Sequence, residues 1–155
     1  MLKVKVKTLE HFDSSFALPK YETEGAAGAD IRASLPADIR EEGMILKPGE
    51  KALIPTGLSM EIPFGYEVQV RPRSGLSFKT GLMVVNSPGT IDCDYRGEVK
   101  IILGNLGTKA ELISHGDRVA QLILAPVTQG IYEIASDDLS ETERGAGGFG
   151  STGVN

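Results

Sequence analysis

The sequence predicts an all-β domain, a jelly-roll-like sandwich or barrel of short strands, and three observations carry that expectation. Apolar residues recur with a period of 2 along much of the chain. Turn tripeptides punctuate these runs at short intervals, and the 155 residues hold 19 glycines and 8 prolines, a composition that suits frequent reversals better than helix bundles. Helix signals are nearly absent, with a single short candidate in the middle of the chain.

Taken in order, Leu2, Val4 and Val6 alternate with Lys3, Lys5 and Lys7, which reads as a half-buried strand. No continuous apolar stretch follows these lysines and no run approaches the roughly 18–20 residues of a membrane span, so the expectation is a soluble, cytoplasmic protein with no secretory leader. Lys47-Pro48-Gly49 and Pro63-Phe64-Gly65 are turns, and Tyr66, Val68 and Val70 then alternate with Glu67, Gln69 and Arg71. The helix is predicted over Ser74 to Thr80, with Ser74 as N-cap and Gly81 closing it. Ser87-Pro88-Gly89 and Tyr95-Arg96-Gly97 bracket a segment from Asn86 to Glu98 that reads as a hairpin with carboxylates near its tip. Val99 to Leu103 and Val119 to Leu124 are almost continuously apolar, as in strands covered on both faces, and His115-Gly116-Asp117 turns the chain between them. Ile131 and Glu133 oppose Tyr132 and Ile134, a last alternation. Residues 145–155 contain five glycines and suit neither strand nor helix, so the expected organisation is a β domain over 1–143 and a flexible Gly-rich C-terminal arm over 144–155.

Composition narrows the function. The net charge is −5 and aromatics make up 6% with no tryptophan, which argues against general nucleic-acid binding by charge or by stacking. One cysteine, Cys93, makes no internal disulfide, and no Cys/His cluster offers a zinc site.

Five segments carry chemistry. Gly145 to Gly150 matches G-x-G-x-x-G, but only five residues follow it, so the strand–helix context of a dinucleotide fold is missing. Its backbone N–H groups still suit phosphate, Arg144 adds charge, Ser151 and Thr152 add hydroxyls, and Phe149 offers a flat face. Pro72-Arg73-Ser74-Gly75-Leu76-Ser77 opens the helix and reads either as an anion site or as a capped helix with a solvated arginine. In the segment from Asn86 to Glu98, Asp92 and Asp94 lie two apart, on one side of an extended strand, where one is a candidate general base or both are turn residues. Gln121 sits inside an apolar strand and needs partners, internal or from a ligand. Ala27-Gly28-Ala29-Asp30-Ile31 is a small-residue turn ending in an acid.

These five segments, in this order, resemble the trimeric deoxyuridine triphosphatases (dUTPases) over essentially the whole chain; the Asn86–Glu98 segment, with its GTIDCDYRGE, and RGAGGFGSTG from Arg144 are the specific ones. The resemblance implies a jelly-roll-like fold, a homotrimer with active sites shared between subunits, and Mg²⁺-dependent hydrolysis of the small-molecule nucleotide dUTP to dUMP and pyrophosphate by water attack at the α-phosphorus. That activity would limit uracil in DNA and supply dUMP for dTMP synthesis, with neither nucleic acid nor membrane as a partner. By position, the resemblance makes Asp92 the base. By the same resemblance Tyr95 would pack under the deoxyribose. Asn86, the backbone of Thr90, Ile91 and Asp92, and the backbone near Lys100 would line the uracil pocket. Arg73, Ser74, Gly75 and Gln121 would hold the phosphates, and Arg144, Phe149, Gly150, Ser151 and Thr152 would close over the substrate. No direct protein ligand is expected for the metal; Asp30 supports Arg73 or a metal-bound water. The alternatives are a dCTP deaminase-like enzyme of the same fold, which lacks the Asp-x-x-Tyr arrangement for attack at phosphorus, and a non-catalytic nucleotide-binding regulator, against which the intact Asp92 argues.

Overall fold

Two antiparallel sheets face each other across one apolar core in the computed structural model, which describes residues 2–148. The first sheet has the order β1 (Lys5–Thr8), β5 (Lys51–Glu61), β9 (Glu98–Asn105), β7 (Leu82–Val84). The second has the order β2 (Lys20–Tyr21), β3 (Ala29–Arg32), β11 (Arg118–Pro126), β6 (Tyr66–Arg71), β8 (Gly89–Ile91). A small pair, β4 (Met44–Leu46) with β10 (Glu111–Ile113), closes one end. The period of 2 is what builds the core: Ile54, Ile101 and Leu103 point inward from the first sheet, Ile31, Val68, Val70 and Leu122 from the second. The all-β class and the single short helix stand as the sequence predicts.

Four local expectations are corrected. The helix α1 runs over Ser74–Lys79 with Arg73, not Ser74, at the N-cap, and no side chain caps it: a guanidinium has no acceptor to offer the free N–H groups, and Arg73 donates to Asp30. Thr80, not Gly81, closes it: the Thr80 N–H and Oγ1 both donate to the Leu76 carbonyl, at 3.0 and 2.8 Å. Gly81 is needed for another reason, since a Cβ there would collide with the Asn105 side chain and the Gly107 backbone.

The segment from Asn86 to Glu98 is not a hairpin. β8 pairs with β6 in the second sheet while β7 and β9 neighbour each other in the first, so the chain crosses between sheets twice, through 85–88 and 92–97. Asp92 and Asp94 therefore sit in an exposed turn and not on an extended strand. The apolar runs of β9 and β11 are not covered on both faces within one chain: Lys100 is exposed and Ile102, Ile123 and Leu124 are only partly buried. Finally, 131–134 forms no strand, and Ile131, Tyr132 and Ile134 are 88%, 101% and 100% exposed, because none of the described residues lies beside them to pair with.

Candidate active site

One rung of the second sheet gathers the polar residues of three sequence segments. Lys20 lies opposite Asp30, Asp30 opposite Gln121, and Gln121 opposite Arg71, so four strands meet at one level. Just beyond, Arg73 Nε donates to Asp30 Oδ1 at 2.9 Å and Arg118 Nη1 donates to Asp30 Oδ2 at 3.0 Å. Arg73 Nη1 also reaches the Arg118 carbonyl at 3.2 Å. One half-buried carboxylate thus fixes two guanidiniums, a charge-assisted arrangement that holds positive charge in place before any ligand arrives. Gln121 finds its partner in the Pro72 carbonyl, to which Nε2 donates at 2.8 Å. Gly28 is fixed by this side chain, since a Cβ there would overlap the Gln121 amide. Gly75 differs: a Cβ there meets nothing within 4 Å, so the chain's own packing does not require a glycine. Ser74 and Gly75 are exposed at the start of α1, at the edge of a cleft of about 370 Å³ lined by Arg32, Arg73, Arg118, Asp117 and Thr80 among others.

The second set of candidates lies on the other crossing. A cleft of about 380 Å³ is lined by Thr90, Ile91, Asp92, Tyr95, Glu98, Val99, Lys100, Leu53 and Ile102. The Tyr95 N–H donates to the Asp92 carbonyl at 3.2 Å, and Tyr95 Oη donates to the Glu98 carbonyl at 3.1 Å. Its ring lies so close to Gly97 that a Cβ there would overlap it. Asn86 leaves β7 beside β9, where the Val85 N–H donates to the Ile102 carbonyl at 3.0 Å, and a Cβ on Gly89 would lie 3.0 Å from the Asn86 amide nitrogen. Asp92 is solvent-facing, as is Asp94; with Thr90, Asp92 stands between this cleft and a wider hollow that Asp94, Cys93, Phe64 and Gln129 also line.

The two sets stand at opposite ends of β6. Ile91 is opposite Val68, which puts Asp92 level with Glu67, whereas Arg73 follows Arg71. Six residues of extended chain separate those levels, about 20 Å. One chain does not bring Asp92 to the Arg73–Gln121 end. Arg144, the first arm residue, is exposed, and its Nε donates to the Gly147 carbonyl at 2.8 Å. Phe149, Gly150, Ser151 and Thr152 lie outside the described residues.

Among the described residues no group of three or more His, Cys, Asp or Glu is placed to hold a metal ion. Both Asp30 oxygens already accept from an arginine. The donor set therefore offers no protein cage for Mg²⁺. It suits an ion that keeps its waters and is held chiefly by phosphate oxygens.

Sequence reasoning passed over three groups. Arg118 shares Asp30 with Arg73, although it stood within a segment already singled out. Glu98, at 12% side-chain exposure, accepts from the Thr56 N–H at 3.1 Å, the Gly57 N–H at 2.9 Å and the His11 ring at 2.8 Å. Burial pushes the Glu98 carboxyl up; the Gly57 N–H, His11 and Lys100 outweigh it, and the group lies below its ordinary value of 4.5. His115 accepts from the Leu35 N–H at Nδ1, 3.0 Å, so the ring proton is on Nε2 and is donated to Asp13, also at 3.0 Å. That bond is the leading reason the Asp13 carboxyl lies well below the usual carboxylate range.

The family model described as dUTPase matches residues 14–153. The deoxyuridine 5'-triphosphate nucleotidohydrolase of Roseobacter denitrificans is 56% identical over 99% of this chain and 97% of its own length. The dUTPase of Staphylococcus bacteriophage 80alpha, a variant solved with dUpNHpp, superposes with a TM-score of 0.83 at 27% identity, covering 99% of this chain and 100% of that one. A variant dUTPase from phage phi11 of S. aureus, described with a structural Mg(II) ion, gives a TM-score of 0.71 at 25% identity over 88% of this chain and 98% of its own.

Proposed function

The chain belongs to the dUTPase family and hydrolyses dUTP to dUMP and pyrophosphate, and we propose that it does so at sites completed between three copies of itself. The observation that carries this reading is the separation along β6. Asp92, level with Glu67, lies about 13 Å along the sheet from Gln121, which is level with Arg71, and about 20 Å from Arg73, too far for one chain's residues to meet at one α-phosphorus. A closed cyclic trimer repeats one heterologous contact, which presents the Asp92 end of one copy to the Arg73 end of the next. The exposed apolar residues Ile131, Tyr132 and Ile134 fit the same reading, as a segment that finds its cover on a neighbour.

In the assembled site, uracil lies in the 380 Å³ cleft against the backbone of Thr90, Ile91 and Asp92, with Asn86 and the backbone near Lys100 completing the base edge. Tyr95 packs under the deoxyribose and leaves no room for a 2′-hydroxyl. Arg73, with Ser74, Gly75 and Gln121, takes the phosphates; Asp30 holds the Arg73 guanidinium in aim. Asp92 orients a water and accepts its proton as the water oxygen bonds to the α-phosphorus. The bond from that phosphorus to the bridging oxygen breaks, and pyrophosphate leaves carrying the electron pair. Bound Mg²⁺ would supply charge neutralisation on the phosphates, and Asp30, which accepts from Arg73 and Arg118, would accept from one of its waters through a remaining lone pair. Arg144, Phe149, Gly150, Ser151 and Thr152 close over the substrate, Phe149 on the base. Positioning and fixed charge dominate, as phosphoryl transfer requires. The chemistry asks for no membrane: among the described residues no helix is long and apolar enough to cross one, and we place the enzyme in the cytoplasm with the nucleotide pool.

The test is complementation. Asp92→Asn and a chain truncated before Arg144 are each prepared inactive, then unfolded, mixed equally and refolded. If Asp92 and the arm come from different chains, random assembly makes roughly one quarter of the sites complete. Activity near a quarter of wild type is expected; none, with mixed trimers confirmed by mass, overturns the shared site.

A further inference from the structure

Where β5 runs beside β9 the pairing register shifts between Pro55 and Ser59, and Gly57 takes φ +68° with the Phe12 backbone packed against it. A bulge of this kind leaves N–H groups without a ladder partner. Here the N–H groups of Thr56 and Gly57 donate to one side-chain oxygen of Glu98, and His11 from the N-terminal segment donates to the same oxygen. Three donors on one carboxylate oxygen fix the Glu98 side chain inward. Its other polar groups face the nucleoside cleft: the Glu98 carbonyl accepts from Tyr95 Oη at 3.1 Å, and Oε2 lies 3.5 Å from Lys100 Nζ. Tyr95 belongs to no strand and is about half exposed, so its ring is aimed by this one side-chain bond and by its contact over Gly97.

We propose that Glu98 is a positioning residue for sugar selectivity: its carboxylate ties the β5 bulge and His11 to the start of β9, and its carbonyl thereby holds the Tyr95 ring where it excludes a 2′-hydroxyl. This rests on the reading of Tyr95 given above. Glu98 touches the cleft wall and not the reacting atoms, so the effect falls on the choice between dUTP and UTP and on KM more than on kcat.

The experiment measures kcat/KM for dUTP and for UTP in Tyr95→Ala, Tyr95→Phe, Glu98→Ala and Glu98→Gln, with Tm recorded for each. The expected result is a dUTP-to-UTP ratio lowered about tenfold in Glu98→Ala, in the range that loss of positioning produces, lowered likewise in Tyr95→Phe, which deletes only the tie, and largely restored in Glu98→Gln, whose amide oxygen still accepts from both backbone N–H groups. A wild-type ratio in Glu98→Ala with a lowered Tm overturns the proposal and leaves the sugar reading intact. An unchanged ratio in Tyr95→Ala overturns the sugar reading and the proposal with it. If Glu98→Ala does not fold, Tyr95→Phe decides: a wild-type ratio there overturns the tie.

Discussion

The end we propose for the phosphates and the end we propose for the nucleoside are built in different ways. At the first, an ion-pair cluster fixes the charge: Asp30 binds two arginines, and beside it Gln121, tied to the Pro72 carbonyl, fills the space left by Gly28. At the second, the key residues stand in a connection between two sheets, and Asp92 faces solvent with Tyr95 tied to a backbone carbonyl. Positive charge that must meet a triphosphate benefits from being fixed in advance, because reorganisation is then already complete. A base that must meet a water gains nothing from being neutralised by a cation in its own chain, and Asp92 has no such partner among the described residues.

The largest test of this contrast removes Asp92, the proposed base. Asp92→Asn keeps the size and loses the proton acceptor, and turnover should fall roughly 10²–10⁴-fold while dUTP binding survives. Steady-state rates with equilibrium binding of a non-hydrolysable dUTP analogue check both halves, and Asp94→Asn serves as the comparison that should stay near wild type. Next comes the carboxylate at the other end. Asp30→Asn frees two guanidiniums from their aim, and KM for dUTP should rise about 10–100-fold, the scale of losing oriented charge; a change in kcat alone would contradict it. Smaller still is the pair of glycine substitutions. Gly28→Ala presses on Gln121 and should cost about 1–3 kcal/mol of stability by overpacking, whereas Gly75→Ala should leave thermal unfolding unchanged and weaken dUTP binding.

Acid gives the smallest effect and the plainest sign. The Glu98 carboxyl is depressed in the fold below its ordinary value of 4.5, so its contribution is full above that value and is lost as pH falls through it toward the lower folded one. Asp13 behaves alike through His115. Chemical-denaturation midpoints followed downward from pH 5 should fall, and Glu98→Gln should flatten part of that slope.

Strand content was legible because alternation is a local property: Tyr66 to Arg71 alternates in the sequence, and from Glu67 onward burial alternates with it, Val68 and Val70 buried between more exposed neighbours. The five segments stand out locally, since their turn residues and lone polar insertions break apolar runs, but the roles given to their residues come from the family resemblance. What could not be read was which strand a segment joins. Asn86 to Glu98 has every local mark of a hairpin, and only the competition between two sheets for β8 and β9 makes it a double crossing. The 131–134 alternation has the same limit, for a period of 2 names a strand but not its neighbour. Glu98 gave no signal, because its partners Thr56 and Gly57 lie about 40 positions upstream in a bulge that no pattern marks.

The spacing of partners along the chain also orders how the halves come into being. The nucleoside cleft needs nothing beyond Ile102, since Leu53 and the stretch from Thr90 complete its walls. The charged rung needs Asp30 to find Arg118, 88 positions later. Closing so long a loop delays the contact during folding, and a chain growing from its N-terminus makes the later partner last. A nascent chain should therefore acquire the cleft for the base before it acquires the grip on the phosphates, and pulse-labelled amide exchange should protect β9 ahead of β11.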